Sequence, residues 1–449
     1  MNKIFFKGIL SAIALLSTSC TSNPVSLRVT ELPLKILEIS PTNITSIIDR
    51  DRVVEPKKIA TSDTLTLNLL HTLSGHQSKI NQVAFSTDSQ TISSVSEDGA
   101  IVVWNIRGKL LHTLEGNGEF KQYVFFSPDG LAAAAFSSAN SEYANASSTF
   151  TLANLKSSSI YFLEHEGAVT TLEYSPDNEI LATAGNDLTV KLWNKNGELV
   201  HILESHNSPI YDLIFSPDSQ FLAFVTSTEM LSDYSIKLWN RNGKLVNTLR
   251  PAHRDIINSV TFSPDGSIFA SASNDYRVKI WSKNGELLHT LEGTQDSPDD
   301  MIAGKNFNGI SRVVFSPDSK YLAFGNNNVI NVFDLQGKLL FTLKDRSYSY
   351  LVFSPDSQTI TLVNEKNIEQ WNLKGELIYS FDAGISNLKF SPDGKLVTAF
   401  RDNRVQLWTV NGELVHTFKR GTSDLVFSPN GNLIASIAGD RTIELWSLN

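Results

Sequence analysis

Hydrophobic and polar residues alternate along short segments of the chain, and this alternation returns at a nearly constant interval. In each interval a segment such as NQVAF, YDLIF or NSVTF ends in an aromatic residue, which Ser-Pro-Asp-Gly or a close variant follows. A second apolar segment, a third that ends in Trp, and a fourth after a tight turn complete the unit. Short alternating segments bounded by Pro, Asp, Asn and Gly predict β-strands joined by turns. The sequence therefore predicts an all-β protein.

The aromatic residue before the Ser-Pro-Asp turn occurs nine times, and we number the repeats 1 to 9 by it. These residues are Phe85, Phe126, Tyr174, Phe215, Phe262, Phe315, Phe353, Phe390 and Phe427. Their mean spacing of about 43 residues lies within the ~40–45 residues of a four-stranded propeller blade. Asn-Gly pairs at 196–197, 242–243, 284–285 and 411–412 precede the fourth segment, and we expect them to form two-residue hairpins with positive φ.

At this point the sequence resembles the WD-repeat (WD40) β-propeller family, over residues 65–449. The resemblance rests on Gly75-His76, the Ser-Pro-Asp-Gly turns and an Asp six residues before the Trp in six repeats. These aspartates are Asp98, Asp187, Asp233, Asp275, Asp402 and Asp440. The Trp-Asp dipeptide that names the family is absent, and only Phe333-Asp334 approaches it. Segments such as NGELLHTLEG (284–293) are similar to bacterial, especially cyanobacterial, members.

Members of this family close their ring by pairing the first and last strands, which removes exposed strand edges. Here Leu67–Leu73 has the sequence of a fourth strand, and the chain stops just after the third-strand Trp446. We therefore expect a single closed propeller of four-stranded blades with nine repeats. A ring of seven or eight blades with a degenerate repeat displaced is the alternative, and repeat 2, with Ala153 in the Trp position, is the weakest copy.

Composition and charge exclude several classes of protein. The chain has 38 basic and 47 acidic residues, a net charge of −9, so a basic surface for nucleic acid is not expected. A single cysteine among 449 residues excludes a disulfide framework and any cysteine-based zinc or iron–sulfur site. No nucleotide-binding or metal-binding motif is present, so we expect no cofactor and no bound metal; the acidic residues of the 293–309 insert leave ion binding there an open question.

The first twenty residues are typical of an export signal. Lys3 and Lys7 precede an apolar stretch that is too short to cross a bilayer as a helix. The segment Leu16–Cys20 resembles a bacterial lipoprotein signal, in which Cys20 becomes the lipidated first residue, although Ser17 departs from the usual Leu. We expect a signal peptide over 1–19, a lipidated N-terminus and tether over 20–64, and a location at the membrane facing the periplasm or the cell exterior. Plain secretion is the alternative.

Histidine, serine, aspartate and tryptophan recur at fixed offsets in three repeats, so a catalytic triad must be considered. The sets are His76–Ser94–Asp98–Trp104, His165–Thr183–Asp187–Trp193 and His253–Ser271–Asp275–Trp281. The family resemblance implies a structural role, in which the His bonds the Ser or Thr and the Asp, and the Trp completes the network. A chain of buried polar groups repeated inside blades favours that structural role over a nucleophile, which must be exposed beside its base.

Three insertions fall in loops that, in this family, emerge on one face. They lie near 138–148 and 227–232, between second and third strands, and at 293–309, between a fourth strand and the next first strand. Loops carry function on rigid scaffolds, so this face is the candidate partner surface, with Tyr143, Met230, Met301 and Phe307 as its apolar residues. Neutral drift in tolerant loops is the alternative.

These observations predict a non-catalytic, monomeric scaffold for protein–protein interaction at the bacterial cell envelope. One alternative is a periplasmic ligand-binding or hydrolytic propeller with its site at the central channel, because a fold does not fix a function. The other is an envelope-assembly or transport accessory that resembles TolB-like propellers. The partner itself is not identified by the sequence.

Overall fold

Strands and tight turns make up the described part of the chain, in which no helix occurs. The computed structural model describes residues 66–114, 123–128, 132–136, 148–154, 159–166, 169–203, 210–228, 233–293, 309–325, 329–344, 348, 350–363, 367–382, 389–401, 404–410, 412–419, 422, 424–439 and 441–448.

Each of the first eight repeats forms four short strands. In repeats 1 to 3 they are β2 (Ile80–Phe85), β3 (Thr91–Ser96), β4 (Ile101–Asn105), β5 (Leu110–Leu114), β6 (Tyr123–Phe126), β7 (Ala132–Phe136), β8 (Ser148–Asn154), β9 (Ser159–His165), β10 (Val169–Tyr174), β11 (Ile180–Gly185), β12 (Val190–Asn194) and β13 (Leu199–Leu203). In repeats 4 to 6 they are β14 (Ile210–Phe215), β15 (Phe221–Thr228), β16 (Asp233–Asn240), β17 (Leu245–Leu249), β18 (Ile257–Phe262), β19 (Ile268–Ser273), β20 (Arg277–Ser282), β21 (Leu287–Glu292), β22 (Arg312–Phe315), β23 (Tyr321–Gly325), β24 (Val329–Asp334) and β25 (Leu339–Lys344).

The last three repeats follow the same order, except that the final one ends at its third strand. They contain β26 (Tyr350–Phe353), β27 (Thr359–Val363), β28 (Asn367–Asn372), β29 (Leu377–Asp382), β30 (Lys389–Phe390), β31 (Leu396–Arg401), β32 (Arg404–Thr409), β33 (Leu414–Thr417), β34 (Leu425–Phe427), β35 (Leu433–Ala438) and β36 (Thr442–Leu448). The remaining strand, β1 (Leu67–Leu73), precedes them all in the chain.

The strands pair antiparallel into nine four-stranded sheets, eight of which follow chain order. The ninth has the order β1-β36-β35-β34, so the first strand of the chain is the outer strand of the last repeat. Leu67 lies opposite Leu448 and Leu73 lies opposite Ile443, which is the predicted pairing of the first and last segments. The architecture is that of an all-β propeller with four-stranded blades, and the weak repeat 2 forms a sheet of its own, β6 to β9.

The turns between third and fourth strands are three-residue turns, and the two-residue hairpin predicted at Asn-Gly is wrong. In repeat 3 the N–H of Gly197 bonds the carbonyl oxygen of Asn194 at 3.0 Å, and Gly197 has φ +74° while Asn196 does not have positive φ. The Asn194 side-chain oxygen accepts the backbone N–H groups of Asn196 and Glu198, at 2.9 and 3.0 Å. This side-chain bonding favours a turn that needs a left-handed residue only at its end.

Several glycines of these turns touch the fourth strand of the preceding repeat. A Cβ on Gly197 would lie 2.6 Å from Tyr161 Cβ, and a Cβ on Gly243 would lie 2.7 Å from His201 Cγ. The same position in repeat 1, Gly108, lies 3.0 Å from His71 Cγ by the same measure, and His71 belongs to the sheet of the last repeat. The recurring histidine of the fourth strand is thus explained as a ring that fills space under the next turn.

The Ser-Pro-Asp turns are also linked from one repeat to the next. Within a turn Ser175 Oγ donates to Asp177 Oδ1 at 2.6 Å and accepts the N–H of Ile180 at 2.9 Å. Between repeats, a backbone N–H of one turn donates to a serine Oγ of the next. These pairs are Asp177–Ser219, Asp265–Ser319, Asp318–Ser357 and Asn430–Ser89, at 3.0, 3.0, 3.0 and 3.2 Å.

The hydrophobic core is divided into clusters that lie between neighbouring sheets. In one of them Leu192 and Leu203 of repeat 3 pack with Phe215 of repeat 4. In another, Ile80 and Val83 of repeat 1 pack with residues of the last repeat, including Ile437, Ile443 and Leu445. Burial of each such side chain contributes about 1.5–3 kcal/mol, so the packing between sheets is a main source of stability.

Candidate functional site

The predicted polar networks are present in repeats 3 and 5 and run across each sheet. In repeat 5, His253 Nε2 lies 2.7 Å from Ser271 Oγ, and His253 Nδ1 lies 3.0 Å from Asp275 Oδ2. Trp281 Nε1 donates to the same Ser271 Oγ at 2.9 Å. Because a carboxylate only accepts, the proton of the neutral imidazole lies on Nδ1 and the serine hydroxyl donates to Nε2.

Repeat 3 has the same network with threonine in place of serine. His165 Nε2 lies 2.8 Å from Thr183 Oγ1 and His165 Nδ1 lies 2.9 Å from Asp187 Oδ2. Trp193 Nε1 donates to Thr183 Oγ1 at 2.9 Å. The same chemistry at the same positions in two repeats favours a structural network over a single catalytic centre.

The aspartate of each network also fixes two loops. Asp275 accepts the backbone N–H of Arg254, before the first strand, and that of Arg277, after the turn between second and third strands, both at 3.0 Å. Burial raises the pKa of Asp275, but the hydrogen bonds from His253 and these two N–H groups outweigh burial, and the pKa falls to about 2. The Asp275 carboxylate is therefore ionised at neutral pH and accepts hydrogen bonds from His253, Arg254 and Arg277.

The histidine and serine of the network are enclosed. His253 is 1% exposed and Ser271 is fully buried. Burial lowers the pKa of His253 below 6.5, and the nearby Asp275 carboxylate offsets this only in part. A neutral imidazole and an inaccessible hydroxyl bonded on both sides can stabilise the sheet, but a substrate cannot reach them.

Repeat 1 departs from the predicted direct contact between histidine and aspartate. His76 Nε2 lies 2.6 Å from Ser94 Oγ, but His76 Nδ1 lies 2.7 Å from Ser96 Oγ, which donates to Asp98 Oδ1 at 2.5 Å. The sequence prediction missed Ser96, whose equivalent in repeat 3 is Gly185. Trp104 packs with its ring 5.9 Å from the His76 ring, and burial lowers the pKa of His76 to about 4.

Repeats 4 and 6 have apolar residues in place of the network serine, whereas in repeat 9 Trp446 Nε1 still donates to Ser436 Oγ at 3.1 Å. In repeat 4, Phe224 stands in the serine position, and Trp239 Nε1 is buried without a hydrogen-bond partner among the described residues. In repeat 6, Phe324 and Phe333 stack with ring centres 5.4 Å apart. His206, Asp402 and Asp440, which belong to the same sequence pattern, lie outside the described residues.

The first strands of the repeats, which we call the inner strands, contain charged residues that the sequence prediction missed. Asp212 on β14 accepts the N–H of Val260 on β18 at 3.1 Å, and that of Leu213 at 3.0 Å. Burial raises the pKa of Asp212 to about 6; the Glu173 carboxylate adds to the rise, while the two N–H groups and Arg312 oppose it. The sequence signal for this site is a charged residue three positions before the aromatic residue that precedes the Ser-Pro-Asp turn.

The last two repeats have an ion pair in the corresponding place. Lys389 Nζ on β30 donates to Asp424 Oδ1 at 2.6 Å, and the Asp424 side chain also accepts the N–H of Leu425 at 2.8 Å. Asp424 stands three positions before Phe427, as Asp212 does before Phe215. The inner strands of neighbouring repeats are thus tied together by side chains at a repeated position.

The insert between repeats 5 and 6 begins and ends on the same turn. Gly293 N–H donates to the Tyr276 carbonyl oxygen at 2.7 Å, and Ile310 N–H donates to the Ser273 carbonyl oxygen at 3.0 Å. A Cβ on Gly309 would lie 2.1 Å from Asn274 Cα, so only glycine fits there. Both ends therefore lie beside the turn between the second and third strands of repeat 5, which is where the sequence predicts the loop face.

Several predicted site residues lie outside the described part of the chain. These are the lipid-attachment residue Cys20 and the loop residues Tyr143, Met230, Met301 and Phe307. Near Met230, the flanking strands extend the hairpin, with Thr228 opposite Asp233. Within the described residues no group of three or more His, Cys, Asp or Glu side chains is placed to hold a metal ion. The described residues form no helix with the length and hydropathy that a bilayer crossing requires.

The sequence model of the family described as "WD domain, G-beta repeat" matches six segments, which together make up a little more than half of the chain. The segments are 67–105, 157–194, 197–240, 243–282, 375–409 and 412–447. They include the networks of repeats 1, 3 and 5 and the outer strand β1.

The chain is similar to several curated proteins of eukaryotes. The chain is 30% identical over 152 residues to a periodic tryptophan protein 2 homolog of Dictyostelium discoideum, covering 33% of this chain and 16% of that protein. It is 26% identical over 160 residues to eukaryotic translation initiation factor 3 subunit I of Aspergillus fumigatus, covering 35% of this chain and 33% of that protein. It is 26% identical over 217 residues to a guanine nucleotide-binding protein subunit beta of Zea mays, covering 45% of this chain and 55% of that protein. The matches thus span between about a sixth and about half of these relatives.

Proposed function

The chain belongs to the WD40 repeat family, and from that premise we propose that it is a non-catalytic scaffold for protein–protein interaction at the bacterial cell envelope. Two of the similar proteins are subunits by name, one of a translation initiation factor and one of a guanine nucleotide-binding protein. A rigid propeller that presents loops to a protein partner suits such a role. The enclosed histidines and serines of the polar networks support binding without catalysis.

The partner surface we propose is the loop face that carries the insertions. The observation that carries this proposal is the anchoring of the 293–309 insert: Gly293 and Ile310 bond the carbonyl groups of Tyr276 and Ser273 in one turn. Fifteen residues therefore leave and return beside a turn between second and third strands. The extended hairpin of repeat 4 adds to loops of the same class.

We further propose that all nine sheets are blades of one closed ring. Pairing of β1 with β36, the Asn430–Ser89 hydrogen bond and the Gly108–His71 contact support closure between the last and first repeats. A ring of seven or eight blades with one sheet displaced is the alternative. Particle images of the purified protein viewed along the ring axis give the blade number directly.

Lipid on Cys20 is the proposed attachment to the membrane, and residues 20–64 are the proposed tether. The export-type N-terminus supports both. An anchor of two or three acyl chains holds a protein stably, whereas a single chain binds reversibly. Mass measurement of the mature N-terminal peptide tests the modification, and Cys20→Ala is the variant that removes it.

The experiment for the scaffold role is crosslinking and co-purification from detergent-solubilised membranes. Wild type is compared with a variant in which residues 294–308 are replaced by a short Gly-Ser linker, a change that the shared anchoring turn should tolerate. A variant with Lys283→Ala, in a turn between third and fourth strands, is the matched control. We expect a stoichiometric protein partner with wild type and Lys283→Ala and loss of it with the shortened insert. Equal recovery with all three proteins excludes this loop surface.

A second candidate function is ligand binding at the inner strands. The observation that favours it is the convergence of the charged side chains Glu173, Asp212 and Arg312, which interact electrostatically although they belong to three different repeats. A small molecule with both positive and negative groups would suit such a site. Calorimetric screening of wild type against Asp212→Asn tests it, and it becomes the leading function if no protein partner is recovered.

A further inference from the structure

Seven of the described outer strands begin with one or two exposed aliphatic residues; they are β5, β13, β17, β21, β25, β29 and β33. Leu110 and Leu111 at the start of β5 are 47% and 39% exposed, and Leu287 and Leu288 at the start of β21 are 50% and 45% exposed. In both strands the second leucine falls in a break of the β-ladder, which shifts register between Trp104 and Val103 and between Trp281 and Ile280. Such bulges stop an edge strand from pairing with another sheet, so these residues are available to a partner that is not a β-strand.

One place combines exposed leucines from two sheets with positive charge. We call it the β1–β5 rim patch, and it consists of Leu69, Leu70, Arg107, Lys109, Leu110 and Leu111. Leu69 and Leu70 are 46% and 43% exposed. The two strands meet at the Gly108 turn, where a Cβ would lie 3.0 Å from His71 Cγ, so the residues form one continuous surface.

The turn in this patch differs in charge from the equivalent turns. Asn105 Oδ1 accepts the backbone N–H groups of Arg107 and Lys109, at 3.0 and 2.9 Å, and both side chains are exposed. The corresponding turns of repeats 3, 5 and 7 each pair one lysine with one glutamate. In repeat 4 the turn has two basic residues, but Arg241 forms an ion pair with Asp177 at 2.9 Å. Among the described turns of this type, only that of repeat 1 presents two basic side chains without an acidic partner.

We propose that the β1–β5 rim patch docks on a bilayer surface that contains anionic phospholipid. The inference rests on the proposed lipid anchor at Cys20, because residues 1–65 join the described chain directly before β1. An anchored N-terminus keeps β1 and its neighbour β5 within reach of the bilayer. Exposed aliphatic side chains enter the interface, and basic residues are attracted to an anionic surface.

The charge of the rest of the protein orients it in the same direction. The chain has a net charge of −9, so the protein as a whole is repelled by anionic lipid. The adjacent Ser86–Gln90 turn has one acidic residue, Asp88, whose Oδ1 accepts hydrogen bonds from Ser86 Oγ and the Gln90 N–H at 2.6 and 2.9 Å, so it is held within its own turn and forms no ion pair with Arg107 or Lys109 among the described residues. The patch therefore attracts the surface that the remainder of the molecule repels, and it sets one orientation on the membrane.

The test uses the full chain, purified from membranes and reconstituted in vesicles. Leu111→Cys and Leu288→Cys are labelled with an environment-sensitive dye and mixed with brominated lipid, which quenches a dye that enters the bilayer. Leu111 and Leu288 have similar exposure and lie in strands of similar sequence. The turn before Leu288 has one basic and one acidic residue, Lys283 and Glu286, instead of two basic ones. In vesicles of phosphatidylglycerol and phosphatidylcholine we expect several-fold stronger quenching at position 111 than at 288.

Charge variants complete the test. We expect the combined substitutions Arg107→Glu and Lys109→Glu to reduce quenching at position 111 to the level at 288, and vesicles of phosphatidylcholine alone to do the same. Equal quenching at both positions in anionic vesicles, or no effect of the charge variants, overturns the proposal. The lipid anchor is read separately, because an unmodified Cys20 of the wild type reacts with the dye, so a failed anchor and a failed patch give different results.

Discussion

The backbone N–H of Asn430 donates to Ser89 Oγ at 3.2 Å, although 341 positions separate the two residues in the chain. The bond repeats, between the last and the first repeat, the link that joins the Ser-Pro-Asp turns of consecutive repeats elsewhere. The turn of the last repeat is therefore bonded to the turn of the first in the same way as the turns of three pairs of consecutive repeats are bonded to each other.

Substitution of Leu73 tests the importance of this junction. Leu73 is 2% exposed on β1 and packs with Ile443 and Leu445 of the last repeat. We expect Leu73→Ala to lower the free energy of unfolding by about 2–5 kcal/mol. Leu70→Ala, on the same strand but 43% exposed, should change it by less than about 0.5 kcal/mol. Urea unfolding followed by tryptophan fluorescence measures both, and equal effects would mean that β1 does not stabilise the junction.

Glycine substitutions separate backbone strain from the contact between repeats. Gly197 and Gly431 both have φ near +75°, but an added Cβ lies 2.6 Å from Tyr161 in the first case and 3.9 Å from Pro392 in the second. We expect Gly431→Ala to cost about 1–2 kcal/mol, from the left-handed backbone alone. Gly197→Ala should cost clearly more, because the Tyr161 side chain must move. Thermal unfolding of the two variants gives the comparison, and the contact is unimportant if the two lose equal stability.

The threonine of the repeat 3 network is expected to act through its hydroxyl. Thr183→Val keeps the shape of the side chain but removes the hydroxyl to which Trp193 Nε1 donates and which lies 2.8 Å from His165 Nε2. Because the loss of buried hydrogen bonds is unfavourable, we expect a loss of about 1–3 kcal/mol. Thr183→Ser retains the hydroxyl and should lose less. Chemical denaturation of the two variants decides, and a valine variant as stable as the serine variant would rule out a role for the hydroxyl.

Asp212 predicts how stability changes with pH. Its folded pKa of about 6 lies above the ordinary 3.8, so the folded protein binds this proton more tightly than the unfolded chain does. The contribution is therefore full below pH 3.8 and is lost as the pH rises through about 6, a change of about 3 kcal/mol.

Comparison with Asp212→Asn measures this contribution, because the amide cannot ionise. We expect the stability of wild type relative to this variant to fall as the pH increases through 6. Asp265→Asn is the control with the opposite sign: hydrogen bonds from Ser263 and Ser267 outweigh burial and lower the pKa of Asp265, so that contribution is lost as the pH falls. Urea titrations from below pH 3.8 to above pH 6 test both slopes, and parallel curves for wild type and Asp212→Asn would contradict the assignment.

The fold was predictable because the same pattern of apolar segments and turns occurs nine times in the sequence. The spacing of Phe85, Phe126 and their equivalents predicts four strands per repeat, and the sequence of Leu67–Leu73 predicts its pairing with the last repeat. The turn type was not predicted, because the side chain of Asn194, two residues before the Asn-Gly pair, decides it. The sequence pattern identifies a local preference, but not which of two neighbouring polar groups supplies the hydrogen bonds.

The candidate site was predictable only where residues recur. His165, Thr183 and Asp187 share their offsets with His253, Ser271 and Asp275, and the structure places each set within hydrogen-bond distance. Ser96 was missed because its position is Gly185 in repeat 3, and Asp212 was missed because it bonds Val260 on a strand of the next repeat, a contact that the sequence does not show. A position that differs between repeats is visible in the sequence, but its contacts are a matter of three-dimensional packing.

The pairing of β1 with β36 also means that the sheet of the last repeat cannot be completed before β36 has been synthesised. Leu67–Leu73 leaves the ribosome long before Thr442–Leu448 has been made, so the first strand waits without its partner while nearly the whole chain is translated. Its leucines and backbone groups need protection over that interval, by a chaperone or by delayed collapse. Truncated products that lack the last seven residues of the described chain would leave β1 unpaired. A quality-control protease could recognise such incomplete molecules by this unpaired strand.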